Sequence, residues 1–214
     1  MPRKKLTTRV RQEQIAEAAL EVVAERGPAG LSVAAIAERV GIVPSAIYRH
    51  FGGKEAVLDA VLDSLTHRLD ENLSAAGSGA ESPLEQLQQI LKRHAAMAQA
   101  NAALPRVLFA QVIYGSSDTR RSRIGRIVSG YLDRIAEVIR EGQRRGQIRD
   151  DVPSDAAAVV LLGMVQLPIV LWHMTDGDFD LNRQIEQAWP LFERAVAERF
   201  SEDSPSNGHT ATKG

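Results

Sequence analysis

Between Gly30 and Gly53 the chain is cut into two helical runs, 32–40 and 44–51, and the joint between them is Gly41-Ile42-Val43. Helices shorter than about 12 residues are marginal in water by themselves. Each run must therefore fold by laying its apolar face on a neighbour. The first offers Ile36, Ala37 and Val40; the second offers Ile47 and Phe51, one turn apart. Gly41 can take the positive φ that a sharp reversal needs, and Ala37 keeps a small side chain where the helices approach. Ser32 has the hydroxyl of a good N-cap. Two short helices about a glycine turn read as a helix-turn-helix.

The rest of the pattern is helical as well. Ile15, Ala18, Ala19, Val22 and Val23 recur at helical spacing over 8–25, and Gly27-Pro28 stops that helix. A longer helix starts at Lys54 with Val57, Leu58, Val61, Leu62 and Leu65 on one side. After a small, flexible loop at 75–82, Pro83 opens a further series predicted at 83–101, 104–114, 118–145, 153–173 and 181–199. No strand-like alternation occurs. From Ser201 onward too few apolar residues remain to order the chain. The expected architecture is all-α with about nine helices: a three-helix head with a basic arm over 1–54, a helical body over 55–200, and a disordered tail over 201–214.

Several chemistries are absent from the sequence. With no cysteine there is no disulfide, thiolate metal site or thiol nucleophile. The five histidines (50, 67, 94, 173 and 209) form no pair at metal-binding helical spacing. No glycine-rich phosphate loop and no Gly-x-Ser-x-Gly occurs, so no enzyme, metal or cofactor is expected. Residues 156–172 are nearly all apolar, but about 25 Å of helix falls short of a hydrocarbon core of about 30 Å. They are expected to form a buried core or interface helix, with no membrane partner. The basic start lacks the apolar run of a signal peptide, so the expected location is cytoplasmic.

Charge is unevenly distributed. Residues 1–54 carry nine Lys/Arg against five Glu, a net +4, while the other 160 residues carry 17 Lys/Arg against 22 Asp/Glu, a net −5. A basic head on an acidic body fits either a polyanion-binding end or a solvated face.

The segment Leu31-Ser32-Val33-Ala34-Ala35-Ile36-Ala37-Glu38-Arg39-Val40-Gly41-Ile42, followed by Ile47-Tyr48-Arg49-His50-Phe51-Gly52-Gly53-Lys54-Glu55-Ala56-Val57-Leu58, resembles the TetR/AcrR family of transcriptional regulators. The match covers about residues 12–62. The resemblance implies a homodimeric DNA-binding regulator, most often a repressor, on a palindromic double-stranded operator. It further implies that Ser32, Tyr48, His50 and Lys54 meet phosphates, and that base edges are met by Ala34 or Ala35 and by Pro44, Ser45, Ala46, Tyr48 and Arg49. Arg49 has the donor fork for guanine, and the small apolar residues suit thymine methyls. Arg3, Lys4, Lys5 and Arg9 are expected to form an arm along the duplex. In one place the chain departs from the family: Val43 stands where a Ser or Thr usually caps the recognition helix, at a cost of about 1 kcal/mol that Pro44 partly offsets.

Taken singly, Tyr48 also fits a core aromatic, His50 a buried packing residue and Arg49 a solvated arginine. Arg120, Arg121, Arg123 and Arg126 look like a nucleic-acid patch but fit better as the solvated side of the long helix. In the body, an unidentified small-molecule effector is expected among His94, Met97, Phe109, Gln111, Tyr114, Tyr131, Met164 and Trp172, although Met and aromatic residues at helical spacing are more often core packing. The 153–173 helix is apolar nearly all round, and 181–199 carries a stripe of Leu181, Ile185, Trp189, Phe192 and Val196. Val160, Leu167, Leu171, Ile185, Trp189, Phe192 and Val196 are therefore expected at a four-helix dimer interface. A rival reading is a helical interaction scaffold that keeps this head without binding DNA.

Overall fold

The computed structural model describes residues 8–105, 107 and 118–197. Among them lie eight α-helices and one short 3-10 helix, Pro28–Gly30. The α-helices are α1 Thr8–Arg26, α2 Val33–Val40, α3 Pro44–His50, α4 Lys54–Gly77, α5 Pro83–Ala100, α6 Asp118–Arg144, α7 Ser154–Met174 and α8 Leu181–Val196. The all-α expectation holds. The helix predicted at 104–114 lies outside the described residues, except that 103–105 and 107 are helical. The expected arm at 3–5 and tail at 201–214 also lie outside them.

In the head, α1 packs on α2, α3 and α4. Ile15, Ile36, Ile47 and Val57 are completely buried where these helices meet. Burying a branched aliphatic of this size stabilises by about 1.5–3 kcal/mol, which is what holds helices of eight and seven residues in place. Gly41 has φ 71°, ψ 42°, and its N–H caps α2 by bonding to the carbonyls of Ala37 and Glu38.

The long helix α4 belongs to both halves: it packs on α1 in the head and on α5 and α6 in the body. One continuous core runs from Ile15 in α1 to Val196 in α8. In the body α6 lies against α7 and α5, and α8 closes the bundle on α5 and α7.

Helix α7 is long and apolar enough to cross a membrane by length and composition alone. It continues through Pro168 and buries Ala157, Ala158, Leu161, Val165, Pro168 and Ile169 in the core. Its other face carries Val159, Val160 and Leu167, 55–63% exposed.

The amphipathic stripe of α8 has a different destination from the one expected. Ile185, Trp189, Phe192 and Val196 are only 2–5% exposed and form part of the chain's own core. They are not available to a second copy. Periodicity reveals that a helix has an apolar face, and here the nearest cover for it was α5 and α7. Of the expected interface residues, Val160 and Leu167 are open and Leu171 is half-buried. Leu191, on the outer face of α8, is 63% exposed and joins them.

Candidate nucleic-acid interface and effector cavity

The head turns the N-terminus of α2 and one side of α3 outward. Ser32 caps α2 with its hydroxyl oxygen, which accepts from the Ala35 N–H at 3.1 Å. The hydroxyl proton remains available to an outside acceptor. Ser32 and Ala34 are exposed, whereas Ala35 is buried and cannot reach a base. On α3, Ile47 faces inward with no exposed surface, and Pro44, Ser45, Tyr48 and Arg49 face out. Ala46 and His50 are half-buried.

Val43 makes no side-chain cap, as its chemistry requires, and stands 59% exposed at the tip of α3. Tyr48 is 59% exposed too, so it is not a core aromatic. Its ring lies beside Gly53, the N-cap of α4, whose φ of 138° only glycine adopts readily. Lys54 follows, exposed, at the N-terminus of α4, where unpaired amides and the helix dipole favour an anion. His50 accepts a hydrogen bond from Gln12 on its carbonyl at 3.2 Å, which ties α3 to α1. Its ring Nδ1 is buried without a partner among the described residues.

Ion pairing concentrates the positive charge of the head. Glu21 and Glu25 pair with Arg39, Glu38 with Arg26, and Glu17 with Arg68, all away from α3. Such exposed pairs add little stability. Their effect is to neutralise the head's acids on the α1–α2 side, while Arg49 and Lys54 face outward. A helix of this width fits a DNA major groove of about 12 Å.

In the body, α4, α5, α6 and α7 enclose a cavity of about 310 Å³, within the usual range for small-molecule sites. Its wall includes Leu65 and Leu69 from α4, His94 and Met97 from α5, Ile124 and Tyr131 from α6, and Leu162 and Gln166 from α7. Of the expected effector residues it brings together His94, Met97 and Tyr131. Met164 and Trp172 do not line it: both pack against the core, and the Trp172 ring meets that of His173 at a tilt of 57°, centroids 4.9 Å apart. Phe109, Gln111 and Tyr114 lie outside the described residues.

One polar seam crosses this apolar wall. The buried Asn72 amide nitrogen donates to the Ile90 carbonyl at 3.2 Å and to the Tyr131 hydroxyl at 2.8 Å. Tyr131 lies 3.3 Å from His94 Nδ1, and His94 Nε2 lies 3.5 Å from the Gln166 amide. Burial lowers the His94 pKa to about 4 and pushes the Tyr131 phenol up. Both are therefore neutral near pH 7.

Residues 15–61 match the family model of bacterial regulatory proteins, tetR family, and residues 62–195 match that of the YsiA-like protein, C-terminal region. The chain belongs to the TetR family. It is thus a DNA-binding transcriptional regulator and not an enzyme.

Among its relatives is the fatty acid metabolism regulator protein of Bacillus subtilis, 25% identical over 168 residues, which are 78% of this chain and 86% of that one. The same fold occurs in the fatty acid degradation regulator FadR of Bacillus halodurans, with a TM-score of 0.74 at 24% identity over 89% of this chain and 96% of the other. It also occurs in FadR of Bacillus subtilis in complex with stearoyl-CoA, with a TM-score of 0.70 at 24% identity over 84% and 96%.

Three features of this TetR-family chain escaped sequence reasoning. Asn72 carried no signal, because a polar residue inside a helical pattern looks solvated until a partner helix covers it. Gln166 was visible only as the polar interruption of an apolar helix. Arg120 contradicts the expected solvated cluster: it is 8% exposed and binds Glu55 at 2.7 Å and Asp59 at 3.4 Å on α4.

Proposed function

We propose that the protein is a ligand-responsive repressor that binds a palindromic operator as a homodimer and leaves it when a small, largely apolar effector enters the body. The observation that carries this is the exposed face of Ser32, Ala34, Pro44, Ser45, Tyr48, Arg49 and Lys54 over a buried Ile47. Residues 1–54 act as the reading head, with Arg3, Lys4 and Lys5 as an arm along the duplex, and 55–200 as the effector and dimerisation body.

Val159, Val160 and Leu167 on α7, with Leu191 on α8, supply the apolar surface for a second copy. A twofold dimer sets two recognition helices about 34 Å apart, or a small multiple of that, as a palindrome requires. The cavity supports an apolar effector, and the stearoyl-CoA bound to the Bacillus subtilis FadR is such a molecule at its acyl end. Helix α4 links the two, since its first residue is Lys54 and its middle, at Leu65 and Leu69, lines the cavity. An effector releases DNA only if it binds the released conformation better. The regulator works in the cytoplasm, where its DNA is.

A second reading, a scaffold without DNA binding, draws on the uncapped Val43. Mobility shift of duplex fragments flanking the protein's own gene, with sedimentation of the free protein, separates the two. A retarded complex with two chains per site supports the repressor. A monomer that ignores every fragment at low salt ends that reading.

A further inference from the structure

The polar seam in the cavity wall has a direction. The Ile90 carbonyl can only accept, so the Asn72 side chain turns its NH2 toward it, and the same NH2 reaches the Tyr131 oxygen. Asn72 Oδ1 is buried without a partner among the described residues, so it takes no proton from Tyr131. His94 Nδ1 lies within reach of that proton at 3.3 Å.

Two arrangements of the protons satisfy these contacts. With Nδ1 accepting from Tyr131, the neutral imidazole carries its own proton on Nε2, which faces the Gln166 amide at 3.5 Å. The amide oxygen then accepts from Nε2, and the amide NH2 is left over. With the proton on Nδ1 instead, His94 donates to Tyr131, Nε2 accepts from the Gln166 NH2, and the Tyr131 O–H is left over. Either way one N–H or O–H lacks an acceptor in the seam, and Tyr131, His94 and Gln166 all line the cavity. A buried donor left unmet costs more than a typical hydrogen bond contributes.

The same wall is unsuited to ions. None of the described residues lining it has a charged side chain, so a carboxylate or ammonium in the cavity would be buried unpaired. Protonating His94 to meet an anion at pH 7 would cost about a thousandfold in affinity, since its pKa is about 4.

We propose that the seam selects an uncharged effector carrying an oxygen acceptor, which takes the hydrogen left over on Gln166 or Tyr131. This rests on the reading of the body as an effector-binding unit and adds the residues that set its specificity. Asn72 and His94 act as positioning residues: the first fixes the direction of the seam at Tyr131, and the second carries it across to Gln166.

The test is equilibrium dialysis of the full chain at pH 7 with three probes of one shape: 2-acetylnaphthalene, 2-isopropenylnaphthalene, in which a CH2 replaces the oxygen, and 2-naphthoate in competition with the isopropenyl compound. The ratio of acetyl to isopropenyl affinity is expected to fall about fivefold or more in Gln166→Met or in Tyr131→Phe, the change worth one hydrogen bond. Loss in Gln166→Met marks the arrangement with the proton on Nε2, and loss in Tyr131→Phe alone marks the other. In the parent, 2-naphthoate is expected to bind about tenfold or more weaker than 2-acetylnaphthalene. A ratio that neither variant moves, or 2-naphthoate displacing its competitor as well as the acetyl compound does, overturns the proposed selectivity and leaves the apolar effector standing. Failure of all three probes to bind overturns the effector reading as well.

Discussion

Asn72 donates its side-chain amide to the Tyr131 hydroxyl at 2.8 Å, and both residues are buried. The bond fastens α4, which leads out of the reading head, to α6, which walls the cavity. Tyr131→Phe keeps the ring and deletes the bond, while Asn72 retains the Ile90 carbonyl. Stability should fall by about 1–2 kcal/mol, read as a lower urea midpoint. Operator affinity without effector should stay close to the parent's, and the effector's power to release DNA should weaken.

Tyr48→Phe isolates the phenolic oxygen on the reading face. Operator affinity should drop about tenfold, the worth of one hydrogen bond to a charged phosphate. The melting temperature should not move, because the ring is exposed and stays in place. Unchanged affinity in a mobility-shift titration would remove Tyr48 from the DNA contacts.

Leu167→Glu and Trp189→Ala should separate association from folding. A carboxylate at the open position on α7 faces burial without a partner in the dimer, and should weaken association about a hundredfold or more at unchanged monomer stability. Truncating Trp189, which lies in the chain's own core, should cost about 3–5 kcal/mol of folding stability instead. Sedimentation and denaturant unfolding on the two variants decide the matter. A Leu167→Glu chain that remains dimeric rules out this face.

His94 gives the stability a pH dependence of known sign. Its folded pKa of about 4 lies below the ordinary value of 6.5, so the unfolded chain takes up a proton first as pH falls. The stabilisation is complete above about pH 6.5 and is lost as pH falls toward 4. Between pH 7 and pH 5 the loss should be about 2 kcal/mol, and His94→Gln should flatten that limb in urea titrations.

Gly41→Ala tests the turn. A Cβ there meets nothing within 4 Å, so the whole penalty is the left-handed backbone at φ 71°. The cost should be about 1–2 kcal/mol, and Gly41→Asn should recover part of it. Equal stability of all three proteins by thermal unfolding would show that the turn relaxes.

The head was readable because its constraints are local. Ser32 as cap, Gly41 in the left-handed region, Val43 without a cap and Ile47 turned inward all follow from residues within a few positions of one another. Even there, the choice between Ala34 and Ala35, one exposed and the other buried, needed the fold.

In the body, helical periodicity located the elements but left their faces unassigned. The stripe of Ile185, Trp189, Phe192 and Val196 looked like an interface and is core; Arg120 looked like solvated surface and is a buried tie to α4. Local spacing dictates helix, cap and turn, because hydrogen bonds and φ preferences act over three or four residues. Which apolar stripe meets another chain, and which polar side chain meets a buried partner, depends on segments up to a hundred residues apart. Only the packed chain brings Asn72 to Tyr131, since burial is a property of the neighbours a residue acquires.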